Sequence, residues 1–210
     1  MDSPQQQAWR QQMNTGKQCF QRGDLPGAVR AFDRATKYQP DRVEAWVNLG
    51  SALLQGGRAE DAGEALRTAL AVNPRVMTTQ LLLGDVQRLQ GQGDAALASY
   101  RQAVALERSP IALNKLACAL RARLFTDEAQ GLYSEALRIE PRFSRARVNL
   151  ATLQLERGNY IAAEEELAEL QGTNLPPTEQ AEVAAARLAL SEYKRLQGAI
   201  DSMNWDGDSA

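Results

Sequence analysis

The chain has 210 residues, of which 44% are apolar and 24% charged, a balance that excludes a disordered polypeptide. Its 24 basic and 26 acidic residues leave a formal net charge of −2, so there is no basic excess to neutralise phosphates and nucleic acid is not expected as a partner. Histidine is absent, which removes the commonest general base and the commonest metal ligand.

The first helix starts at Ser3-Pro4-Gln5-Gln6. Ser3 suits the cap, Pro4 the first helical position, and Gln6 stands where a capping box wants Glu or Gln. The polar MDSPQQQAWRQQ does not read as a signal peptide. This helix is expected to run to about Arg22, with residues 1–8 as an extension ahead of the first repeat. Gly23-Asp24 closes it, and a second helix follows to near Tyr38, where Pro40 blocks continuation. The next pair covers Val43 to Gln55 and Ala59 to Val72, with Gly56-Gly57 between them and Asn73-Pro74 after. A third pair turns at Gly91 to Gly93, with Asp94 expected as cap. In the fourth, Arg123-Leu124-Phe125 replace the turn glycine and Thr126 is the expected cap. The fifth turns at Gly158-Asn159, and its second helix carries Glu164, Glu165 and Glu166 to near Gly172. Asn174-Leu175-Pro176-Pro177 is a break, a final helix is expected over 178–197, and 198–210 reads as a loose tail.

These pairs are copies of one unit, over 9–42, 43–76, 77–109, 110–143 and 144–172. Ala28, Ala62, Ala96, Ala129 and Ala163 mark equivalent positions, in steps of 34, 34, 33 and 34 residues. Gly16, Gly50 and Gly84 recur on the first helices, with Ala117 and Ala151 in the later copies. Glycine inside a helix costs ~1 kcal/mol against alanine, so its recurrence argues for close helix approach. Phe32, Leu66, Tyr100, Tyr133 and Leu167 are the large apolar residues of the second helices. A stack of such hairpins is a solenoid, whose last hairpin needs a solvating end helix.

At Trp46, Leu49-Gly50, Ala62, Leu66, Ala69 and Pro74 the chain resembles the tetratricopeptide repeat family, over about residues 9 to 171. The resemblance implies an all-α fold: a right-handed superhelical solenoid of tandem helix-turn-helix hairpins with a C-terminal capping helix. It also implies a protein–protein interaction function. In such a stack the first helices line the concave face. The candidate partner-binding residues there are Asn14, Lys17, Asn48, Ser51, Leu82, Asp85, Asn114, Lys115, Arg145 and Asn149. Asn14, Asn48 and Asn149 share one slot of the repeat, and Asn114 is one place off. An amide offers both a donor and an acceptor, so such a ladder can clasp the backbone of an extended peptide. The ladder is broken at Leu82 and Lys115. The carboxylate-holding residues of chaperone-binding family members are not reproduced, since Met13, Thr78 and Leu82 stand at three of the basic positions.

The function expected is therefore a non-enzymatic scaffold or adaptor for a protein or extended peptide. The alternatives are a self-assembling structural module forming a homo-oligomer, or a regulatory subunit of a separately encoded enzyme. No phosphate-binding glycine loop is present, and Cys19 and Cys118 have neither metal-ligand spacing nor a histidine partner. No cofactor, no metal and no catalytic residue is expected. No segment has the length and apolarity of a membrane span, and a cytoplasmic location is expected.

Overall fold

The computed structural model describes residues 3–205, and within them every regular element is an α-helix. One compact unit, Met1–Arg108, holds three hairpins. These pair α1 (Pro4–Gln21) with α2 (Leu25–Tyr38), α3 (Val43–Gln55) with α4 (Ala59–Val72), and α5 (Met77–Leu89) with α6 (Gly93–Leu106). A second unit, Ser109–Ala210, holds α7 (Pro110–Arg121) with α8 (Thr126–Ile139), α9 (Ser144–Glu156) with α10 (Tyr160–Ala168), and a final helix α11 (Pro177–Trp205). In the first unit α3 touches α5 as well as its own partner; in the second, α9 touches α7 and α11. First helices thus form one layer in each unit and second helices the other.

Each hairpin is set by close approach. A Cβ built on Gly16, Gly50 or Gly84 would lie 2.5 Å from Phe32, 2.7 Å from Leu66 or 2.5 Å from Tyr100. The large side chain of the second helix therefore rests on the bare backbone of the first. Ala28, Ala62, Ala96, Ala129 and Ala163 are all buried at the facing position. Leu49, Leu53, Leu66, Leu83 and Val86 continue this packing into the core of the first unit. Val148, Leu167, Leu170, Val183, Ala186 and Leu190 form the core that joins α9, α10 and α11.

Turn geometry repeats as strictly as packing. Gly23, Gly57, Gly91 and Gly158 have φ between 73° and 78°, and Leu124 takes the same left-handed conformation at φ 66°. At each turn the following amide reaches back five residues: Asp24 to Cys19, Arg58 to Leu53, Gln92 to Gln87, Phe125 to Leu120 and Asn159 to Gln154. This is the Schellman closure, which satisfies carbonyls left open at a helix end. Leucine pays a steric cost in this conformation that glycine does not.

A second periodic tie was not expected from sequence. Trp46 Nε1 donates to the carbonyl of Pro40 at 2.8 Å, and Arg147, at the equivalent position of its repeat, donates to the carbonyl of Pro141 at 2.9 Å. Two unrelated side chains fasten a first helix to the loop before it.

Several boundaries differ from the sequence reading. The start of α6 is set by Gln92, and Asp94 lies in the first turn; α8 is preceded by Phe125, with Thr126 already helical. Neither helix has a side-chain cap. The helix α10 stops at Ala168, short of Gly172, and Leu170 instead folds into the core beside α11. The last helix continues past 197 to Trp205, since Gly198 alone does not break it; residues 206–210 of the expected tail lie outside the described residues.

Two substitutions test this frame. Ala62→Leu is expected to overpack the second hairpin and cost about 1–3 kcal/mol in chemical denaturation. Leu124→Gly is expected to raise stability by about 0.5–1 kcal/mol by relieving the left-handed leucine. A lower denaturation midpoint for Leu124→Gly would contradict the turn geometry.

Candidate functional site

The first unit carries a cleft of about 590 Å³ on the layer of its first helices. Trp9, Arg10, Met13, Asn14 and Lys17 of α1 line one side, with Glu44, Val47 and Asn48 of α3 and Thr78 of α5 opposite. A smaller cavity of about 120 Å³ adjoins it, sharing Lys17 and Asn48 and reaching Ser51, Phe20 and Phe32. Of the sequence-derived candidates, Asn14, Lys17, Asn48 and Ser51 are thus brought together. Lys17 is exposed and forms no ion pair among the described residues. The wall mixes one acid, two bases, two amides and an apolar floor. Such a lining suits an extended chain that offers backbone amides and small apolar side chains.

Trp9 and Val76 are lining residues that the sequence reading missed. Trp9 lies one residue before Arg10, and its ring is covered by the guanidinium of Arg42 at 4.9 Å. An aromatic at the first position of the first repeat, 9–42, was the available signal.

Leu82 and Asp85 do not join this cleft. Leu82 packs on the core, and Asp85 Oδ1 accepts from the hydroxyl of Tyr100 at 2.8 Å. One repeat later the same positions are Cys118 and Tyr133, and the Tyr133 hydroxyl donates to Cys118 Sγ at 3.3 Å. Burial, reinforced by the Asp85 charge, pushes the Tyr100 phenol well above its ordinary value of 10. Burial and the neighbouring Cys118 do the same to Tyr133.

In the second unit the asparagines turn inward. Asn114 and Asn149 are 6% and 9% exposed, and Asn149 Nδ2 donates to Asn114 Oδ1 at 2.8 Å and to Cys118 Sγ at 3.4 Å. These two amides are committed largely to each other. They bind α7 to α9, and this tertiary pairing explains why asparagine recurs there. Lys115 is half-buried and already has a partner. Arg145 is held by α11: it contacts Glu179 at 3.1 Å, Glu182 at 2.9 Å and the Thr178 hydroxyl at 3.1 Å. Its guanidinium anchors the last helix. The run Glu164 to Glu166 is a charged helix face, with Glu164 paired to Lys194 and Glu166 to Arg147. Burial raises the Glu166 carboxyl, and Arg147 opposes that shift.

Among the described residues no cluster of three metal-ligating side chains exists, and no helix is long and apolar enough to cross a membrane. Helical hairpins repeating every 33 or 34 residues, the first three shut on a glycine seat, define a helical-repeat protein. Sequence profiles described as tetratricopeptide repeat match residues 19–71, 59–110 and 126–190, and the chain belongs to that family. It is 27% identical over 139 residues to the BBSome complex member bbs-4 of Caenorhabditis elegans, covering 66% of this chain and 30% of that protein. The chain thus spans about a third of the length of that relative. Among solved structures it is similar to pilF of Pseudomonas aeruginosa, with a TM-score of 0.74 at 18% identity, over 99% of this chain and 100% of the other. It is also similar to YrrB, described as a TPR protein with an unusual peptide-binding site, with a TM-score of 0.62 at 17% identity over 88% and 90% of the two chains. At these identities the structural likenesses establish the fold alone.

The two buried phenols predict an alkaline weakness. Below pH 10 Tyr100 and Tyr133 are neutral in both folded and unfolded chains, so their contribution is fully present. Above pH 10 the unfolded chain ionises them and the folded chain does not, so stability falls as pH rises. Denaturation midpoints measured from pH 9 to 11 are expected to fall more steeply for the wild type than for Tyr100→Phe with Tyr133→Phe.

Proposed function

We propose that this chain is a non-enzymatic adaptor that binds an extended segment of a protein partner along the first-helix layer of its first unit. The observation that carries the reading is the cleft formed by α1, α3 and α5, where Asn14, Lys17, Asn48 and Ser51 meet beside Met13 and Val47. Of the asparagines, Asn14 and Asn48 keep their amides at this surface and are assigned to the peptide backbone; Lys17 supplies a charge for an acidic or carboxylate group on the partner. Asn114 and Asn149, with Arg145, act in support of the second unit. A cytoplasmic location belongs to the same reading, and the two free thiols Cys19 and Cys118 favour a reducing compartment.

The test is selection of binding peptides from a random library displayed against the full chain, followed by fluorescence polarisation. Val47→Glu with Asn48→Ala is expected to weaken the selected peptides at least tenfold while leaving the melting transition in place. Asn149→Ala, measured at a temperature where it remains folded, is expected to leave affinity within about twofold. Peptides that bind both variants as tightly as the wild type would overturn the assignment.

A further inference from the structure

The last helix has two faces and covers only one. Val183, Ala186 and Leu190 of α11 are buried, with Glu179, in a stripe against α9 and α10. The Tyr193 ring stacks on Tyr160 at 3.5 Å between centroids and is partly covered. Every residue from 194 to 200 is exposed, yet the helix goes on to Trp205. A helix with neither face packed is marginal in water, so an overhang of this kind calls for a partner.

The opposite stripe has the chemistry of an interface. Leu188, Glu192, Arg195 and Ala199 follow the spacing of one helical face, with Leu196 beside them. Leu188 is 61% exposed and Leu196 57%. Ala185 occupies the place in α11 that Gly16, Gly50, Gly84, Ala117 and Ala151 take in the earlier first helices. Those five are buried, and the three glycines seat a large side chain of the next helix; Ala185 is exposed. Glu192 and Arg195 form no ion pair among the described residues.

The occupant follows from the order of charges. Acid and base stand one turn apart on the same stripe. A second α11 running antiparallel about a two-fold axis between Tyr193 and Lys194 brings Glu192 opposite Arg195 of the second copy, and Arg195 opposite its Glu192. The same register sets Leu188 against Ala199 of the other copy, large against small. The stripe is complementary to itself in both charge and size, which an unrelated partner would not require.

We propose that the exposed face of α11 is a homodimer interface, formed by antiparallel pairing with a second copy of this chain. The interface belongs to the second unit and uses none of the cleft residues of the first, so the proposal does not rest on the peptide-binding reading.

Light scattering coupled to size exclusion on the full chain, over a range of concentrations at low salt, is expected to give a dimer that dissociates on dilution. Arg195→Glu alone and Glu192→Arg alone are each expected to raise the dissociation constant at least tenfold, because like charges then face each other. Mixing the two variants is expected to restore association, since each copy supplies what the other lacks. Leu188→Glu is expected to give monomer with unchanged helical circular dichroism, and Val47→Glu, in the cleft, to leave the dimer intact. A chain that is monomeric at every concentration, a dimer indifferent to the single reversals, or a mixture that fails to re-associate would each refute the proposal.

Discussion

The structure depends on how near two helices can come. Phe32 over Gly16, Leu66 over Gly50 and Tyr100 over Gly84 are the same contact made three times, at distances that leave no room for a methyl group. Close packing of this kind has little tolerance for added volume. It fixes the separation of the helices within a hairpin and therefore the position of the residues on the outer side of each first helix. The cleft of the first unit is a consequence: Asn14 and Asn48 meet across it because Gly16 and Gly50 bring their own helices tight against α2 and α4.

Much of this could be read from the chain alone, and the reason is local. Helix limits such as Val43–Gln55 and Ala59–Val72 follow from turn glycines, terminal prolines and apolar spacing, all of which act over a few residues. The family pattern around Trp46, Gly50 and Ala62 then supplied the pairing of helices. Six of the ten candidate groove residues do not line the cleft, and periodicity alone could not place them. Asn114 and Asn149 look like their counterparts Asn14 and Asn48, but a hydrogen bond between helices 35 residues apart turns them inward. Arg145 looks like a free basic residue until Glu179 and Glu182 arrive from α11. The choice between a ligand-facing and a structural polar group is made by tertiary neighbours, which periodicity does not encode.

Equivalent positions keep a task while changing the chemistry that performs it. Trp46 and Arg147 both fasten a helix start to a proline carbonyl. Asp85 and Cys118 both receive a tyrosine hydroxyl. Leu124, a residue 84% exposed, makes at φ 66° the turn that glycine makes elsewhere. The repeat is thus conserved in geometry more closely than in residue type. Its weakest copy by this measure is the fourth, which holds a bulky residue in a conformation suited to glycine.

The tyrosine pairs also bear on how the polypeptide reaches this state. Tyr100 and Asp85 are fifteen residues apart in the chain, as are Tyr133 and Cys118. Contacts at such short range need little search, since the entropy of bringing the ends together grows only slowly with loop length and is small here. Each hairpin can therefore assemble during synthesis before the next has emerged, and low contact order favours rapid collapse. The slow strand-pairing steps that expose many nascent chains to aggregation have no counterpart in these hairpins.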